Sequence, residues 1–163
     1  MKNIVIPIFL LASVLTSYAQ SNGNIKKGYA FYTISVPGVQ MADENGNPIP
    51  PKVDIGRFIY IECCGTGKPV IEKVLYDNKI LSATLNAVKG SAVIPGSELS
   101  KNNEFKITAK KGNSLWKVEL QIPGTDPMPE QDCKNIVIKY KVKGKTRILK
   151  LVKETHLMTM PRY

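Results

Sequence analysis

The sequence predicts an all-β fold: an immunoglobulin-like β-sandwich of about seven to eight antiparallel strands, with a jelly roll or an open barrel as alternatives. Three observations carry this expectation. Apolar and polar residues alternate with a period of two over most of the chain, the pattern of half-buried strands. Gly, Pro, Asn or Asp interrupt the alternation about every eight to twelve residues, the spacing of strand and turn in sandwiches and barrels. The longer period of an amphipathic helix is nearly absent. Two packed antiparallel sheets are the simplest way for so many strands to bury one face each.

The chain begins Met1-Lys2-Asn3, runs apolar from Ile4 to Leu15, and then presents the small residues Ser17 and Ala19. A charged head, an apolar middle and small side chains before a cut make a secretory signal, with cleavage expected between Ala19 and Gln20. The apolar run falls short of the roughly 20 residues a membrane-spanning helix needs, and no later stretch is longer. The style of this signal resembles a bacterial one, so the expected address is exported, periplasmic or secreted. Residues 20–28 are expected as a flexible N-terminal segment, 29–153 as a single β-sandwich domain and 154–163 as a C-terminal tail, either a strand extension or loosely ordered.

Tyr29 to Val36 is the first expected strand, stopped by Pro37-Gly38. A polar, Pro-rich loop spans 43–51. Its residues Asp43-Glu44-Asn45-Gly46-Asn47-Pro48-Ile49-Pro50 resemble the strand-joining loops of bacterial immunoglobulin-like modules. Val53 to Cys63 follows, with Val53, Ile55, Ile59 and Ile61 on one face and Asp54, Phe58, Tyr60 and Glu62 on the other. Val70–Tyr76 and Ile80–Val88 read as a hairpin about Asp77-Asn78, because both turn residues tolerate the left-handed conformation. A short apolar run closes at Pro95-Gly96. Glu104–Ala109 and Leu115–Ile122 are expected to pair around Lys111-Gly112-Asn113, with Trp116, Val118, Leu120 and Ile122 inward. A second Pro-rich loop spans 123–133. Ile136–Val142 and Thr146–Val152 form a third hairpin, turning at Lys143-Gly144-Lys145. The tripeptides Val36-Pro37-Gly38, Ile94-Pro95-Gly96 and Ile122-Pro123-Gly124 share type II turn chemistry and not a repeat.

The three cysteines are an odd number for an oxidising compartment. Cys63 and Cys64 point to opposite faces of one strand, so only one of them can meet Cys133. Cys63 shares the apolar face of Ile59 and Ile61 and is expected to stay a free, buried thiol. Cys64 at the strand end is expected to pair with Cys133, a span of 69 residues whose closure would stabilise by about 4 kcal/mol in the chain-entropy account. Asp43 and Glu44 resemble the start of a calcium loop, but the following glycine is misplaced and no closing glutamate follows. His156 is the only histidine. A cysteine nucleophile would need it as base, and a metal site would need it beside cysteines that face opposite ways. There is no Gly-x-Ser-x-Gly, phosphate-binding glycine loop or Cys-x-x-Cys. No catalytic residue, metal or cofactor is expected.

Charge is the strongest functional signal. The chain carries 23 Lys and Arg against 13 Asp and Glu, and only Lys2 is lost with the signal. Lys139, Lys141 and Lys143 alternate with apolar residues, and Lys145 and Arg147 across the turn are expected to extend their patch. Such a field favours anionic partners. In an exported chain these are an envelope protein or an anionic polysaccharide or lipid; aromatic interleaving is too thin for nucleic acid. The sequence therefore favours a non-enzymatic envelope binding module, with a small metal- or cysteine-dependent hydrolase using Cys64, Cys133 or His156 as the alternative.

Overall fold

In the computed structural model the described residues are 23–35, 41–49, 54–98, 104–121 and 133–158. The expected signal and its cleavage site, Pro37-Gly38 and Pro123-Gly124 lie outside them. Among the described residues there are strands and no helix. The strands are β1 (Ile25–Ser35), β2 (Met41–Ala42), β3 (Pro48–Ile49), β4 (Asp54–Cys64), β5 (Val70–Tyr76) and β6 (Lys79–Ala87). They continue with β7 (Ala92–Ser97), β8 (Glu104–Thr108), β9 (Asn113–Gln121), β10 (Ile136–Val142), β11 (Lys145–Leu151) and β12 (Glu154–Leu157).

The all-β class holds, and its layers come from one curled sheet and a hairpin, consistent with a sandwich or an open barrel. Eight strands form the sheet in the order β11-β10-β5-β6-β9-β4-β1-β12. From β1 to β11 every pairing is antiparallel. Six such steps leave β11 running in the same direction as β1, so closing the curl requires a parallel pair. The chain supplies one: two residues beyond β11, β12 pairs parallel with β1 through Ala30↔Glu154 to Thr33↔Leu157. The segment expected as a tail is thus the strand that ties the sheet's two ends together. The Leu149 side chain of β11 packs over β1 at Gly28, where a Cβ would lie 2.8 Å from its end. A larger residue there would have to displace the ends of the Leu149 and Leu151 side chains.

The concave face holds one core of Ile59, Ile61, Cys63, Val74, Val118, Ile136 and Ile138, all fully buried. The other face of β4, that of Phe58, Tyr60 and Glu62, is also covered. The β7–β8 hairpin lies over β1, β4 and β9 and buries Phe31, Tyr60, Ile107, Leu115 and Leu157 in a second core. Phe31 is its centre, 5.1 Å from Phe105, 5.8 Å from Phe58 and 6.2 Å from Tyr60, ring centre to ring centre. Burying each such large side chain contributes roughly 1.5–3 kcal/mol.

The hairpin expected between the 104–109 and 115–122 segments does not form: β8 pairs with β7 and β9 with β4 and β6. Glu62 explains the divergence. Its carboxylate accepts hydrogen bonds from the Lys110 N–H (2.9 Å) and the Asn113 side-chain amide, turning the chain from the hairpin into the sheet. Pro95-Gly96 closes no strand; β7 runs through it, with a register shift between Val93 and Gly96. Asp77 and Asn78 both take positive φ, 43° and 71°, as the β5–β6 hairpin requires. The fold also begins earlier than expected, since β1 starts at a buried Ile25.

Candidate functional site

The predicted basic residues divide between two faces. Cross-strand partners lie on the same face of a sheet. Lys139 stands opposite Ile148 and Lys141 opposite Thr146 on the convex face, whereas Arg147 stands opposite Tyr140 and Lys145 opposite Val142 on the concave side. Lys143 belongs to neither row; with φ of 50° it forms the β10–β11 turn with Gly144. The single patch of Lys139, Lys141, Lys143, Lys145 and Arg147 is therefore corrected: crossing the tight turn inverts the alternation.

What the convex face gains comes from β5. Lys139 is directly opposite Lys73, and Val137 lies between Leu75 and Lys150 in the neighbouring row, which continues through Leu75 to Ile80. Three aliphatic side chains on this face are more than half exposed: Val70 at 57%, Ile148 at 55% and Ile80 at 54%. Among the described residues no element covers them. Lys141 is neutralised locally by Glu72, 2.8 Å from its Nζ, and Thr146 donates to the same carboxylate at 3.1 Å. These hydrogen bonds hold Glu72 below the usual carboxylate range and raise Lys141. Lys73, Lys139 and Lys150 form no ion pair among the described residues. The result is an amphipathic sheet face in which aliphatic rows are crossed by more ammonium groups than carboxylates, Glu72 being shared between Lys141 and the charge of Lys139.

A second polar cluster sits inside the curl. Arg57 and Glu154 are 3% and 2% exposed, and Arg57 Nε donates to Glu154 Oε1 at 3.0 Å. The other carboxylate oxygen accepts the Cys133 N–H at 3.3 Å. The guanidinium lies over the rings of Tyr32 and Tyr76, 5.5 and 5.7 Å from their centres, and Tyr32 stacks on His156 at 4.4 Å. Burial raises the Glu154 carboxyl, and the Arg57 charge offsets part of that rise. The described strand ends at Ser35, Asp54 and Gln121 lie toward this end of the curl. Sequence pattern missed Arg57, although its position between Ile55 and Ile59 on an apolar face was a signal.

The cysteines are three free thiols. The Cys64–Cys133 bond is opposed by position. Cys133 is held beside Arg57 through Glu154, and Cys64 lies seven residues further along the same strand, about 23 Å at the usual rise. A disulfide needs Cα atoms within about 7 Å. Burial pushes the Cys63 thiol up to about 12 and Cys133 to about 11, the direction opposite to that of a nucleophilic cysteine. Among the described residues no three His, Cys, Asp or Glu side chains gather as metal ligands would. Asp43 is occupied by its own turn, accepting from the Asn45 and Asn47 N–H groups at 2.9 and 2.8 Å.

Comparison with family models, curated proteins and solved structures gives no significant match. Among the described residues no helix is long and apolar enough to cross a membrane.

Proposed function

We propose that this is an exported, non-enzymatic envelope module that docks an anionic partner on the convex face of β5, β10 and β11. The observation that carries this reading is the opposition of Lys73 and Lys139. Like charges placed directly across a sheet destabilise it by a few tenths of a kcal/mol or more. They sit among exposed aliphatic residues, and Glu72, a carboxylate that feels Lys139, is ion-paired with Lys141. A partner with carboxylate or phosphate groups would relieve the repulsion and cover the apolar rows. The aliphatic content favours a protein or lipid surface over a bare polysaccharide, which offers little to Val70, Ile80 and Ile148. The raised Cys133 thiol weighs against a cysteine hydrolase built on that residue. Lys73→Glu tests the reading, because it replaces a repulsive pair with an attractive one in the fold while reversing a charge on the docking face. Retained binding to an envelope fraction by this variant would refute the proposal.

A further inference from the structure

Where the last strand leaves β10 and joins β1, the sheet has a seam. β11 pairs only with β10, and the Ile25–Tyr29 part of β1 pairs only with β4, because β12 begins at Ala30. The two-residue bridge Val152-Lys153 belongs to neither ladder. A cavity of about 340 Å³ opens at this crossing. Tyr29, Phe31 and Phe105 are among its apolar lining residues, and Lys150, Lys153 and Thr155 among its polar ones. Tyr29 and Phe105 meet edge to face at 6.1 Å, so the aromatic wall is already packed. Neither lysine has an ion pair among the described residues, and the Thr155 hydroxyl has no hydrogen bond there.

We infer that this seam is a binding site for a small amphiphilic carboxylate, a molecule with one anionic head on an apolar body. The class follows from three constraints. The volume lies at the low end of ligand pockets, roughly 300–1,000 Å³, which suits one acyl or aryl group and not a folded chain. Leu151 and the 80%-exposed Val152, beside half-buried Tyr29 and Phe105, offer apolar surface that an apolar body would cover. Two exposed ammonium groups and a hydroxyl among the lining residues offer donors to an anionic head, with which charge-assisted hydrogen bonds can form. The site is separate from the Lys73–Lys139 pair and does not rest on the docking proposal, although Lys150 borders both.

The test is displacement of anilinonaphthalene sulfonate from the full mature chain by decanoate and by decanol, followed by fluorescence. Decanoate should displace the probe with one-site saturation, about tenfold better than decanol, the margin of a charge-assisted contact. Lys150→Gln with Lys153→Gln should lose about that factor for decanoate and none for decanol, with thermal stability unchanged. Lys73→Glu should leave decanoate binding intact, which separates this site from the docking face. Equal displacement by the acid and the alcohol, the absence of saturable displacement, or full retention of decanoate affinity in the double variant would overturn the inference.

Discussion

Arg57 and Glu154, 97 residues apart in sequence, meet inside the curl with Nε 3.0 Å from Oε1, both side chains shielded from water. The pair joins β4 to β12, and through the Cys133 N–H it also anchors the entry to β10. It therefore holds in register the strand that closes the sheet. Breaking such a pair on one side leaves a bare buried charge, which costs about 3–5 kcal/mol. Arg57→Ala and Glu154→Ala should each lower stability by that order in denaturant titrations. Arg57→Met with Glu154→Leu should recover most of it, since no charge is left unpaired. A double variant as damaged as either single one would show that the pair is not the structural unit.

Leu157 belongs to the same closure from the outer side, fully buried against Phe31 and the β7–β8 hairpin. Leu157→Ala should cost about 2–5 kcal/mol, the range for a buried leucine. Ending the chain after Lys153 should abolish cooperative unfolding, followed by the fluorescence of Trp116. A truncated chain that still unfolds with a sharp transition would mean that β12 is dispensable.

Glu62 gives the fold a defined acid response. Burial works against its charge, but the Asn113 amide, the Lys110 N–H and the Lys27 and Lys110 charges hold its carboxyl below the ordinary glutamate value of 4.5. Between the folded and unfolded values the unfolded chain binds more protons, so stability rises with pH across that window. The contribution of ionised Glu62 is complete above about pH 4.5 and is lost as pH falls through the lowered value. Glu62→Gln should flatten this part of the Tm–pH curve while leaving the curve near neutrality parallel to the wild type. Identical acid slopes would count against it.

The thiols offer a direct check of the interior. Cys63 and Cys133, buried and raised to about 12 and 11, should resist an aromatic disulfide reagent at pH 8, whereas half-buried Cys64 should react. Native protein should release one equivalent of chromophore per chain and denatured protein all three. Three equivalents without denaturant would contradict the burial assigned here.

The strand pattern was legible because alternation is local. Val70–Tyr76 and Ile136–Val142 were read to the residue, and the Asp77-Asn78 turn was read from two residues that tolerate positive φ. The pairing of strands was less legible, because it depends on long-range contacts. The capture of Lys110 and Asn113 by Glu62 diverts β8 from β9, and no local property of Glu62 announces this. The closing strand Glu154–Leu157 was hidden for a similar reason: four residues carry little period, and their burial is set by Arg57 and Phe31 far away in sequence. At the candidate site, Lys139 and Lys141 were found by alternation within one strand. Lys73 was missed because only sheet order brings β5 beside β10, and Arg147 was misplaced because a two-residue turn reverses the face of its strand.

The central claim concerns the convex face, and Lys73→Glu addresses it most directly through paired measurements on one variant. Opposite charges across the strands should make the variant at least as stable as the wild type, by about 0.2–1 kcal/mol, in thermal unfolding at low salt. Sedimentation with a membrane-envelope fraction should show salt-sensitive binding by the wild type and its loss in the variant. That result, a firmer fold with no docking, is what the account predicts. Equal sedimentation of the two proteins across the salt range would contradict it.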